Sequence, residues 1–199
     1  KDKEGKDCGR EINLWFVVHG KMKDLEDQNL MGSLLGMQGK DKGKDPVYLT
    51  EAELKERNIP VETAKGIEDR YWLTEMGLID RIQISGVMRT RKQNVDGLVT
   101  TMILDDRFSE DKKYPNRWRA IKEGEGKADL GPPNPYRGFG GYVKATPIPD
   151  QEGAILIEMH FGFAEPEEWF EGRNLLASKL PLAVRNNVIN LRRKLSGKR

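Results

Sequence analysis

The chain has 199 residues, with 34 Lys+Arg against 32 Asp+Glu and a formal net charge of +2. That length suits one domain, and so balanced a charge supplies no global field to recruit nucleic acid. No apolar run approaches the roughly 18 residues that a membrane-spanning helix needs, and the single cysteine, Cys8, excludes an internal disulfide and a multi-cysteine zinc site.

Residues 1–10 are charged and read as a disordered leader, leaving 11–199 as a single domain. The opening Lys1, in place of Met, reads as an artificial boundary or a processed end. The compartment stays open, with export or a cell-envelope location after loss of an upstream signal peptide on one side and the cytoplasm on the other. Cys8 follows Lys6 and Asp7, which are charged where a lipid anchor wants small apolar neighbours, so it reads as a free thiol.

Leu14–Val18 is aromatic and β-branched and predicts a strand. From Asp24 to Met37, Leu30, Leu34 and Met37 recur at helical spacing, and residues 39–45 form a charged linker. Thr50-Glu-Ala-Glu53 is a capping box that opens a short helix, which must end before Pro60. From Arg70 onwards the apolar period becomes two. Tyr71–Ile79 predicts a strand, and Ile82–Met88 and Leu98–Leu104 form a hairpin around Asn94-Val-Asp-Gly97. Residues 109–138 predict a long polar connection with one strand at Trp118–Ile121. A second hairpin joins 140–148 to 154–163 through residues 149–153. Pro166, among Glu165, Glu167 and Glu168, suits a helix start, and Pro181 starts or kinks a second helical stretch. There Val184, Val188, Leu191 and Leu195 form an apolar stripe that Gly197 ends.

The expected fold is α+β: a curved antiparallel β-sheet with two short N-terminal helices and a long C-terminal helix packed on it. This order, with Phe161–Phe170 leading into Leu175–Leu182, resembles the helix-grip fold of the START-like lipid-transfer and polyketide-cyclase superfamily. The resemblance implies a cavity between sheet and closing helix for a hydrophobic or amphipathic, lipid-like molecule.

No Walker loop, Rossmann glycine spacing, nucleophile elbow or zinc-protease helix occurs, so no cofactor and no metal are expected. Gly138-Phe-Gly-Gly-Tyr142 reads as a turn or bulge. Glu158 and His160 sit two apart on a strand and share a face. They read either as an acid–base pair of a cyclase- or hydrolase-type enzyme or as an ordinary solvent-facing sheet surface. Trp72, Trp118, Tyr142 and Trp169 could line a ligand pocket with His160, and Arg89 or Arg91 could fix a polar head group. The basic stretch 192–199 suits a helix C-terminus or a peripheral contact with anionic membrane. No specific nucleic-acid partner and no oligomeric state follow. A binder of a lipid-like molecule is the leading expectation. The acid–base enzyme, and an interaction or cell-envelope protein without a ligand, are its rivals.

Overall fold

A computed structural model of the chain describes residues 8–26, 47–61, 66–94, 97–122, 129–172 and 175–197. Ten strands form one antiparallel sheet among them: β1 (Gly9–His19), β2 (Val47–Tyr48), β3 (Ile67–Leu78), β4 (Ile82–Asn94), β5 (Leu98–Leu104), β6 (Arg117–Lys122), β7 (Asp129–Leu130), β8 (Asn134–Pro135), β9 (Phe139–Pro147) and β10 (Ala154–Ala164). Their order is β1-β10-β9-β5-β4-β3-β2, with β6 on β4 and the short β7 and β8 on β6. The sheet curls into a half-barrel with a long C-terminal helix, α2 (Leu175–Leu195), so the fold is α+β. That arrangement is compatible with a helix grip.

The alternation of each strand divides its side chains between two faces. Ile155, Ile157, Met159, Phe161 and Phe163 of β10 all point inward, into a core that also holds Met88, Met102, Leu176 and Leu191. Val188 and Leu191 of the expected stripe pack there. Beside them, Arg192 Nε donates to the Val17 carbonyl on the edge strand β1, at 3.0 Å.

A second, smaller core lies on the opposite face, where Tyr71 and Val87 meet Leu49, Leu54, Ile59 and Phe108. Its lid is α1 (Glu51–Glu56), which starts at the expected capping box: Thr50 and Glu53 satisfy each other's backbone N–H groups. The lid is fastened to the 105–116 connection through Arg57–Asp111 at 2.7 Å and through Lys113 and Tyr114 on Glu53, each at 2.9 Å.

The N-terminal part of β4 pairs with β6 and its C-terminal part with β5, so the sheet forks at Gly86–Val87. Asn116, fully buried, fills the fork. Its Oδ1 accepts from Val87 N at 3.1 Å and its Nδ2 donates to the Asp105 carbonyl at 2.8 Å. A Cβ on residue 86 would stand 2.2 Å from that Oδ1, which is why glycine occupies the position.

Several expectations change. Gly9 and Arg10, placed in the leader, begin β1, with Arg10 paired to Glu165 at 2.5 Å. Of the short helix expected from Asp24 to Met37, residues 24–26 are described, and they lie in a 3-10 turn, Met22–Glu26, that buries Leu25. The rest of that helix, the 39–45 linker and Val95–Asp96 of the first turn lie outside the described residues. No α-helix starts at Pro166, because Phe170 adopts a left-handed φ of 58° beside the buried Trp169, giving a 3-10 turn at Trp169–Gly172. Pro181 lies inside α2 without dividing it. Its ring is on the solvent side, and buried residues anchor the helix before and after it. Of Gly138–Tyr142, expected as a turn or bulge, Phe139–Tyr142 run in register with β10 without a bulge, while Gly138 before them has a left-handed φ of 85°.

Candidate functional site

The register lines up three rows of side chains across the outer face. In the first, Arg89 (β4) stands opposite Ile103 (β5), Ile103 opposite Gly140 (β9), Gly140 opposite Gly162 (β10) and Gly162 opposite Glu11 (β1). In the second are Arg91, Thr101, Tyr142, His160 and Asn13. In the third are Val99, Lys144, Glu158 and Trp15. Two adjacent glycines therefore make a strip without side chains beside a raised aromatic row. The strip and the segment after β5 enclose an open groove of about 550 Å³ lined by Arg89, Ile103, Arg107, Gly138, Gly140 and Gly162.

The glycines of the strip differ in kind. A Cβ on Gly140 would lie 2.9 Å from the Ile103 side chain at Cγ2, and one on the neighbouring Gly141, which faces the core, only 2.0 Å from the His160 carbonyl oxygen, so a close neighbour accounts for both. At Gly162 the nearest atom to an added Cβ is the Arg10 carbonyl oxygen at 3.9 Å, an ordinary contact. Packing does not require glycine there.

At one end of the groove stand two guanidinium groups held from behind. The carboxylate of Asp69, fully buried, accepts Nη2 of Arg89 at 2.7 Å and of Arg91 at 2.9 Å, with Nε of each on the other oxygen. Burial pushes the Asp69 carboxyl up, but the hydrogen bonds from Arg91 and Arg89 outweigh it and leave the group below its ordinary value. Arg107 grips Asp105 with Nε at 2.9 Å and Nη2 at 2.5 Å, and its Nη2 also donates to the Tyr71 hydroxyl at 3.1 Å. The Arg89 and Arg107 guanidinium carbons lie 5.8 and 5.7 Å from the centre of the same Tyr71 ring. In both arginines Nε and Nη2 are engaged, and Nη1 makes no hydrogen bond among the described residues.

His160 is wedged between Tyr142, stacked at 4.9 Å, and Trp15, edge-on at 4.9 Å. Its Nδ1 lies within hydrogen-bond distance of Asn13 Oδ1, at 2.8 Å. Glu158 is engaged elsewhere, accepting from Trp15 Nε1 at 3.3 Å with Lys144 Nζ 3.9 Å away. The two share a face, as the spacing requires, but Asn13 and not Glu158 orients the imidazole.

The residues expected to line one pocket thus divide between the faces. Arg89, Arg91, Tyr142 and His160 are on the outer face. Trp72, Trp118 and Trp169 are on the inner one, where Trp72 Nε1 donates to Thr90 Oγ1 at 2.8 Å and Trp118 meets Trp169 edge-on at 6.0 Å. Asp69, Asp105, Arg107 and Gly162 were missed. Alternation within β10 places Gly162 on the face of His160, but its partners become visible only with the strand order.

No family model matches the chain, and no curated protein matches it. No group of three or more His, Cys, Asp or Glu side chains suited to a metal ion occurs among the described residues. No helix among them is long and apolar enough to cross a membrane.

Proposed function

We propose that the protein binds a small amphipathic molecule in the outer groove and does no chemistry on it. The observation that carries this reading is Gly162. Glycine in a strand interior costs about 0.5–1 kcal/mol relative to alanine, packing does not impose it at this position, and its missing side chain keeps the groove open. A slender apolar body laid there would gain about 25 cal/mol for each Å² of apolar surface it covers, before ordering costs. Arg89 and Arg107 supply a polar end, and Ile103, Gly140 and Gly162 an apolar floor, a division suited to a molecule with a head and a body.

A second reading keeps the site that the START-like resemblance implies, between the sheet and α2. It is favoured by Trp169 Nε1 and Thr74 Oγ1, which belong to inner-face residues and are buried without a hydrogen-bond partner. Membership of that superfamily belongs to this reading.

Native mass spectrometry of the purified chain, followed by organic extraction, tests both. A retained lipid-like mass that Gly162→Val removes and Trp169→Phe leaves in place supports the outer groove. The opposite pattern supports the interior site. A clean apo mass, unchanged after incubation with a mixed panel of amphiphiles, refutes both and favours an interaction protein without a small ligand.

A further inference from the structure

We infer that the groove selects an oxyanion head group, a carboxylate or a phosphate, through the Nη1 edges of Arg89 and Arg107. The inference rests on the outer groove being the ligand site.

Both guanidiniums line the same cavity. Each is anchored through its Nε–Nη2 edge to a buried carboxylate, Asp69 or Asp105, which turns the remaining Nη1 group away from that carboxylate. Both rest near the ring of Tyr71, itself buried, so their separation is set before any ligand arrives. Little side-chain freedom is then left to lose on binding. They remain reachable, the Arg89 side chain being 23% and the Arg107 side chain 42% exposed.

The charge count narrows the ligand further. Arg89 and Arg91 pair with Asp69 and Arg107 with Asp105, and Asp106 lines the groove beside Asp105, so three cations stand against three carboxylates. With the sum at zero, recognition comes from directed N–H donors, not from a broad positive field. That suits a single oxyanion and disfavours a polyanion such as nucleic acid, whose binding rests on many uncompensated cations. The glycine strip leads from the head site across β9 and β10 towards β1, four strand spacings or about 19 Å from Arg89 to Glu11. The body of the ligand lies along it.

Isothermal titration calorimetry on the full chain separates head from body. The probes are decanoate, decyl phosphate, decanol, acetate and inorganic phosphate. At least one of the two anionic amphiphiles is expected to bind ten-fold or more tightly than decanol, and acetate and phosphate alone to bind more weakly still. Which of the two binds identifies the oxyanion. Arg89→Gln should weaken the anionic amphiphile by about ten-fold and leave decanol unchanged, with Asp69 still held by Arg91 so that the fold persists. Arg107→Lys, which keeps the charge and loses the fork, should weaken the same probe less.

Equal affinity for decanol and both anions overturns the head-group inference, as does an Arg89→Gln variant that melts and binds like the parent. In either case, loss of binding in Gly162→Val leaves the groove itself standing. Binding unchanged by Gly162→Val overturns the groove and the head site together, and so does a chain that binds none of the amphiphiles.

Discussion

Gly162→Val should make the protein more stable and less able to bind. The new Cβ meets only the Arg10 carbonyl oxygen, at 3.9 Å, so the substitution creates no clash with the backbone. Valine is a strong strand former, and removing glycine from a strand interior gains about 0.5–1 kcal/mol. For a chain of this size that raises Tm by about 1–4 °C. The two γ-methyls stand on the floor between Gly140 and Glu11, where the body of the ligand is proposed to lie, and a ten-fold loss of affinity there corresponds to about 1.4 kcal/mol. Differential scanning fluorimetry and calorimetric titration of the same preparation read both quantities. Gly141→Ala is the control: its Cβ would lie 2.0 Å from the His160 carbonyl oxygen, so it should lower stability by about 1–3 kcal/mol. A Gly162→Val protein that melts below the parent, or that binds as well, would refute the reasoning.

Three further substitutions probe the frame around the site. Asn116→Ala strips partners from the Val87 N–H and the Asp105 carbonyl, so urea unfolding should show a loss of about 2–4 kcal/mol. Asp69→Asn leaves Arg89 and Arg91 without their shared carboxylate. Because those side chains are still about a quarter exposed, the expected cost is about 2–3 kcal/mol, below the full penalty for breaking a buried pair. Glu53, lowered to about 2 by hydrogen bonds from the Thr50 backbone, Lys113 and Tyr114, should impose a pH signature. A depressed carboxyl contributes its stability above its unfolded value near 4.5 and loses it as pH falls towards 2. The gap in Tm between the parent and Glu53→Gln should therefore be widest at neutral pH and shrink below pH 4.5, and a gap that widens on acidification would contradict it.

The parts of this fold legible in the sequence are those governed by local chemistry. Thr50 and Glu53 form the capping box their spacing announces, and the alternation through Ile82–Leu104 and Ala154–Phe163 becomes β4, β5 and β10. Alternation says which residues of one strand share a face. It does not say which faces of different strands are joined, so Trp72 and Arg89 were placed in one pocket although the sheet lies between them. The 105–116 connection was opaque for another reason. Its shape depends on Asn116 reaching back to Val87 and on Arg107 reaching Tyr71, contacts with no periodic trace in the sequence. Helix signals failed near Trp169 because burial of that indole outweighed the acidic first turn that follows Pro166.

The pairing of β1 with β10 bears on how the chain reaches this state. Arg10 and Glu165 are 155 positions apart, and every rung of that ladder joins the first strand to the last. Loop closure over such a span must precede any reward from the pairing. During synthesis β1 emerges with its alternating apolar residues and waits for nearly the whole chain before a partner exists. Until then it and the free edge of β10 are the surfaces most open to wrong pairing. The slow step of folding should therefore be the docking of β1. Trimming that strand would leave β10 with an open edge and a half-barrel prone to association through it.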